Sequence, residues 1–546
     1  MSPRRLLSAL AFVLAPPLAA QVENASPGFV LSASTLDTDT VLIDADGAVV
    51  HTWPNPNEPG LSTYLLENGN LLRAAEIVPP GGPKLGAGGR VEEIAWDGTV
   101  VWSYDFAGSD LQHHDIEPLP NGNVLLVAWE GLSVLDALAA GRNPAYLFGE
   151  TFCPDQIVEV RPTGPTSGEI VWEWHAWDHL VQDFDPTKPN FGSVPDHPEL
   201  IDLNYPPQIA FGGDWLHFNS VDYNAELDQI AISVRNFDEI WVIDHSTTTE
   251  EAAGHTGGNS GMGGDLLYRW GNPVAYGLGG AADQQLDGQH DAAWVAKGFP
   301  GEGNLTVFNN NEGSGGVFEG GFSTVVEIEP PIDGHGTYFR APGEAFGPAG
   351  PVWEYVAEEP TDFFSSIMGG AVRLASGNTL VCSSVQGLLF EVNPAKEVVW
   401  GVTGVGQPFK VQRYERYLWT DGDATPSLSA GGQVELDLVA GVKHAGLFYV
   451  LLGSTSGTEP GITAGGVTLP LNPLDGYFLL SLTNPVVDPY VGQLNAAGTA
   501  TATFKLPAGT DPGLAGLIAH HAYGVLNPLT GQVFLASNPE PLLLVP

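Results

Sequence analysis

Three histidines recur at one position of a repeated pattern. His114, His217 and His290 each stand seven residues before the first residue of a turn, at Asn121, Asn224 and Lys297, in the segments HHDIEPL, HFNSVDY and QHDAAWV. A neutral imidazole is a nucleophile, a protonated one is a general acid, and either form suits group transfer. Arg235 extends the pattern. In a hairpin centred near Glu226 it lies as far from the turn as His217 does, so both return to the same rim. Histidine is also the commonest metal ligand. A guanidinium repels a cation, however, and offers a planar fork of donors to an oxyanion. Three imidazoles and one guanidinium therefore describe an anion site able to move a sulfuryl or phosphoryl group, with no metal and no cofactor required. The alternative for each histidine is a structural one, bonded to a carbonyl or to Asp115 or Asp291.

The charge balance makes these cations informative. Lys and Arg number 19 against 64 Asp and Glu, a net charge of -45. Such a surface repels nucleic acid and anionic lipid, which excludes both as partners. An anionic substrate must be held by a local cluster against the global field. His51, His175, His179, His197, His245, His255 and His335 fall in loops or outer strands and read as surface or core residues. The pair His520-His521 in LIAHHAYGVL reads as packing.

The elements that position the cluster are short strands. Gly 69 and Pro 44 fit strands joined by turns, and helical periodicity of any length is absent. Strands ending in an aromatic recur at Trp53, Trp102, Trp172, Trp270, Trp353 and Trp400. Hairpin turns recur in LLENGNLL, PLPNGNVLL and RLASGNTLV. The class is all-β, and six four-stranded units predict a six-bladed β-propeller. Five units run in order. The sixth is split, with GFVLSAS, TVLIDADG and AVVHTW from the N-terminal end and a closing strand from FKVQRYERYL. In a propeller the first strand of each unit lines the axial channel, so the three histidines converge there. From residue 424 to 546 the texture changes to strong alternation with Gly and Pro turns, predicting a small C-terminal β-sandwich.

Residues 1–20, with Arg4-Arg5, an apolar run from Leu6 to Leu14 and small residues after it, predict a signal peptide. Residues 21–423 then form the propeller. No later stretch is apolar enough to span a bilayer, so the expected product is exported, to the periplasm, cell surface or medium. Cys153 and Cys382 are far apart and leave a disulfide or two thiols equally open.

The segments HHDIEPLPNGN, DWLHFNSVDYNAELDQIAISVRNFDEIWVID, and QHDAAWV followed by LTVFNNNEG resemble the bacterial aryl-sulfate sulfotransferases, exported six-bladed propellers. The resemblance spans roughly residues 28 to 418. It implies a ping-pong reaction in which a histidine takes the sulfuryl group from a phenolic sulfate ester and passes it to a phenolic acceptor, without a nucleotide donor. Carried over by position, His290 is the nucleophile that becomes sulfohistidine, while His217 and Arg235 hold the sulfuryl oxygens and assist the leaving phenolate. His114 or His113 supplies the remaining polar contact. Trp129, Phe218 and Trp294 are the nearby candidates for stacking on an aryl ring. The C-terminal sandwich is not part of the family pattern. Two other readings remain: a sulfate or phosphate ester hydrolase using the same site, and a non-catalytic propeller that binds ligands or proteins.

Overall fold

The computed structural model describes residues 25–78, 86–147, 149–206, 213–312, 321–421, 424–483 and 486–546. The predicted signal peptide lies outside the described residues. The chain is mostly β, and its strands form several sheets. Seven of these are four-stranded and antiparallel, six of them before residue 415. The first joins Phe29–Ala33, Thr40–Ile43 and Val49–Trp53 to Gln412–Tyr414, which pairs with Phe29–Ala33. Five more follow in order, with innermost strands Pro59–Leu65, Leu111–Pro118, Phe218–Asn224, His290–Trp294 and Gly370–Arg373. The early strands and the QRY segment thus close one sheet from opposite ends of this region.

Apolar side chains of each sheet pack on the next, and the order is cyclic. Leu72 and Trp102 of the second sheet meet Ile116 and Val158 of the third. Leu125 and Trp172 of the third meet Val221 and Trp241 of the fourth. Ile240 of the fourth meets Leu305 of the fifth, and Phe308 of the fifth meets Val381 of the sixth. Cys382 and Leu389 of the sixth then meet Val30 and Ile43 of the first, which packs with the second through Leu42 and Leu71.

The recurring tryptophans explain themselves in this arrangement. Each indole N–H donates across to the following sheet or its connections: Trp53 to the Ala95 carbonyl, Trp102 to Ser167, Trp172 to Thr247 Oγ1, Trp270 to Pro348, Trp353 to Pro394 and Trp400 back to Ala45. A large apolar ring with one donor can fill an inter-sheet gap and satisfy a buried acceptor at once.

The inner strands are interlocked as well. The Asp115 carboxylate accepts the Val221 amide at 3.0 Å, the Ser220 hydroxyl accepts the Ala292 amide at 2.9 Å, and Asp291 accepts the Ala371 amide at 3.1 Å. Lys410, buried after the sixth sheet, reaches Asp115 at 2.7 Å and Asp291 at 3.5 Å. Burial works against its charge, but the two aspartates outweigh that and raise the ammonium above its ordinary pKa. These are the residues immediately after His114 and His290, so the same contacts anchor both histidine backbones.

The remainder of the chain forms two further antiparallel sheets, built on Gly432–Val439 with Thr499–Leu506 and on Phe448–Ser454 with Ile518–Asn527. Their inner residues, among them Leu436, Tyr449, Phe504 and Val525, share one core with Leu31, Trp53 and Leu71. Cys153 and Cys382 are free thiols. Among the described residues no helix is long and apolar enough to cross a membrane.

Candidate active site

His290 opens the inner strand of the fifth sheet and is almost fully buried. Its Nδ1 faces two acceptors, the Asn310 side-chain oxygen at 2.8 Å and the Gly288 carbonyl at 3.1 Å. Asn310 cannot turn its amide the other way, because its NH2 donates to the Ser365 and Met368 carbonyls at 2.7 and 2.8 Å. Nδ1 therefore carries the hydrogen, and Nε2 keeps its lone pair, toward which the Met368 amide points at 3.3 Å. Burial lowers the imidazole pKa to about 3, and the Arg235 charge pushes in the same direction. The result is a neutral ring with its nucleophilic nitrogen defined.

Arg235 begins a single turn of 3-10 helix after the strand Gln229–Val234, and its amide donates to the His217 carbonyl at 3.3 Å. Its guanidinium is buried and donates to the neutral Asn236 side chain at 3.2 Å. Among the described residues no carboxylate comes within ion-pair distance of it. Burial lowers its pKa, with Asp238, Asp214 and Asp287 opposing from longer range. Its fork of donors is thus desolvated and, among the described residues, without a carboxylate at ion-pair distance.

His217 presents Nδ1 to Asp214 at 2.5 Å. Burial raises the Asp214 pKa, but the His217 ring, its hydrogen bond and Trp129 Nε1 outweigh that and hold it below the usual range. An ionised carboxylate behind Nδ1 fixes the tautomer and supports positive charge on the ring during proton transfer, leaving Nε2 as the working nitrogen. With its side chain 19% exposed, His217 is also the solvent-facing edge of the cluster.

The His114 ring lies 4.5 Å from that of His217, centroid to centroid, and 6.0 Å from Phe409. His290 stands the same 6.0 Å from Phe409. His114 is held far below the ordinary histidine pKa, chiefly by burial, with the neighbouring imidazoles and the Arg235 guanidinium acting in the same direction. Both His114 and His217 adopt left-handed backbone, with φ of 52° and 57°. Such strain costs of order 1–3 kcal/mol and gathers where geometry serves a function. Gly86 must remain a glycine here, since a Cβ would sit 2.0 Å from the His114 ring.

The remaining sequence candidates separate. His113 is enclosed, stacked on Trp129 at 4.0 Å, bonded Nδ1 to Nδ1 with His114 at 2.7 Å, and 2.9 Å from the buried Asp155. It braces His114 from behind. Trp129 is buried and supports His113 and Asp214. Phe218 is a correction: it is fully buried between Trp174 and Trp241, so it packs the core and offers no face to a ligand. Trp294 closes the far end of the strand that His290 opens, where its amide donates to Asp222. Phe409, itself fully buried, packs against both the His114 and His290 rings, and the sequence reading passed it over. The register also needs correction. His114 and His290 each immediately precede an aspartate that locks the next strand, whereas His217 stands three residues before its counterpart Ser220. All three inner strands carry an irregularity near the histidine, so equal spacing from a turn is not equal position in the sheet.

The arylsulfotransferase family model matches residues 17–318, more than half of the chain. The chain belongs to the arylsulfotransferase family. That match covers His114, His217, Arg235, His290 and Asn310, and membership points to a sulfotransferase. No curated protein sequence matches the chain. Among solved structures, a virginiamycin B lyase from Staphylococcus aureus is 10% identical, covering 69% of this chain and 84% of its own, at a TM-score of 0.33. A putative 6-phosphogluconolactonase from Bacteroides fragilis is 12% identical over 72% and 99%, at 0.35. A periplasmic gluconolactonase from Pseudomonas aeruginosa is 13% identical over 71% and 99%, also at 0.35. Likenesses of this size carry no weight for fold or function.

Asn310, which holds the His290 ring through Nδ1, is a contact that sequence reasoning missed. Its Asn310→Ala variant should lose about 10²-fold in kcat through misplacement of the ring. KM for the donor should stay nearly constant, and steady-state kinetics would check the split. An equal rise in KM would instead place Asn310 in substrate binding.

Proposed function

We propose that the chain is an exported aryl-sulfate sulfotransferase: a six-bladed propeller at residues 21–423 with a C-terminal sandwich at 424–546, its reaction centre on the axis. The observation that carries the reading is the pairing of His290, neutral and with Nε2 unprotonated, with a buried Arg235 that has no carboxylate partner among the described residues.

His290 Nε2 attacks the sulfur of an aryl sulfate. The N–S bond forms, the S–O bond to the aryl oxygen breaks, and the aryloxide leaves with a proton from the His217 imidazolium. The nitrogen-bound SO3 carries its negative charge beside a ring that has become cationic. Asn310 and Gly288 accept the Nδ1 hydrogen more strongly in that state, and Arg235 donates to the sulfuryl oxygens as charge develops. His114, kept neutral, completes the polar wall. In the second half, neutral His217 takes the proton of a phenol as its oxygen attacks sulfur, and the N–S bond breaks to restore His290. Phe409 supplies an apolar surface beside the reacting rings. No cofactor enters the balance.

Initial rates with donor and acceptor both varied should give parallel double-reciprocal lines, the signature of two half-reactions. Intersecting lines would contradict a ping-pong sequence. Steady nitrophenol release from 4-nitrophenyl sulfate, with no phenol needed, would favour the hydrolase.

A further inference from the structure

Away from the sulfuryl site, His179, His255 and Asp265 bring three ligand atoms within 4.8 Å of one another. His179 follows the outermost strand of the third sheet. His255 and Asp265 lie on the excursion between Glu239–Asp244 and Tyr268–Trp270 of the fourth. We propose that these residues bind a divalent first-row cation, zinc by the chemistry of the set, which clasps the third and fourth sheets at their outer rim.

The hydrogen-bond inventory carries the inference. His179 Nε2 lies 2.8 Å from the Ala252 carbonyl, which can only accept, so Nε2 bears the hydrogen. Its other ring nitrogen, Nδ1, faces a carboxylate oxygen, Asp265 Oδ1, at 2.9 Å. His255 Nδ1 converges on the same oxygen at 2.7 Å. Two imidazole nitrogens and one carboxylate thus converge within reach of a single cation. A metal about 2.1 Å from each ligand needs the set to open by only about half an ångström.

The surroundings fit a ligand site. A metal-bound histidine commonly donates its other ring N–H to a backbone carbonyl, as His179 does to Ala252. Trp174 stacks on the His179 ring with planes 4° apart and donates to the Gly264 carbonyl at 2.7 Å, fixing the residue before Asp265. Gly264 admits the histidine, since a Cβ would meet Nε2 at 2.7 Å and the Ala252 oxygen closer still. His179 and Asp265 are buried while the His255 side chain is 60% exposed, so ion and water can enter from one side. Two imidazoles and one carboxylate with an open fourth position suit zinc better than calcium or magnesium, which prefer oxygen. The site lies beyond the outermost strand of the third sheet, with Trp174 between it and Phe218, and its role is to hold the long excursion.

The test uses the full chain, stripped with chelator, desalted, and given zinc. We expect one zinc ion retained per chain by elemental analysis and a thermal midpoint that rises with free zinc. Cobalt(II) in its place should give the intense visible bands of a tetrahedral site. His255→Ala, at an exposed position that leaves the fold intact, should weaken zinc binding more than about 100-fold with nitrophenol turnover unchanged. Asp265→Asn should behave alike. No retained zinc would overturn the proposal. Retention undiminished in His255→Ala would overturn it by placing the metal elsewhere.

Discussion

Replacing His290 with alanine is expected to lower turnover of an aryl sulfate by about 10⁵-fold or more, the scale seen when a covalent nucleophile is removed. The reason is specific to this ring. Its Nδ1 hydrogen is committed to Asn310 and Gly288, its burial keeps it neutral, and His114, His113 and His217 are each turned to another partner. None can replace Nε2 of His290 at the sulfur. The substitution removes a small buried ring, so a stability loss of about 1–3 kcal/mol is expected and the fold should survive. Circular dichroism with stopped nitrophenol release checks both parts. Residual activity within a hundredfold of the wild type would contradict the assignment.

Arg235→Met should separate activity from stability. The guanidinium is desolvated and finds no carboxylate at ion-pair distance among the described residues, so the folded state bears its burial without full compensation. A flexible apolar side chain of similar length should leave the protein equally stable, or more stable by up to about 2 kcal/mol. The same change removes the donors facing the sulfuryl oxygens, and kcat/KM should fall by about 10²- to 10³-fold. Arg235→Lys should recover little, because a point charge does not reproduce the fork. Thermal unfolding beside donor kinetics reads the outcome. A large drop in melting temperature would show that Arg235 serves the fold, and near-normal kinetics would remove it from the reaction.

Much of this was legible in the strand pattern. The six tryptophans ended the outer strands because each spans the gap to the following sheet, and that need repeats with the sheets. The closing QRY strand could be found because the first sheet lacked one member. Arg235 could be placed beside His217 because hairpin pairing depends only on distance from the turn. Phe218 was misjudged although alternation argued against it, since a residue adjacent to a rim histidine points to the opposite face. The different position of His217 was hidden because counting from a turn does not reveal a bulge between the turn and the histidine. Asn310, Asp214 and Phe409 were missed for another reason. Each acts through a partner brought near by the fold, and NNNE or QPFK shows no spacing that announces it. The left-handed backbone of His114 and His217 is equally invisible, because neither residue type demands it.

Intact mass of the purified protein, mixed briefly with 4-nitrophenyl sulfate beside the His290→Ala variant, tests the central claim most directly. The account predicts a gain of one SO3 group on the wild type alone, discharged when phenol is added. Nitrophenol release with no adduct, or an adduct that persists in His290→Ala, would contradict it.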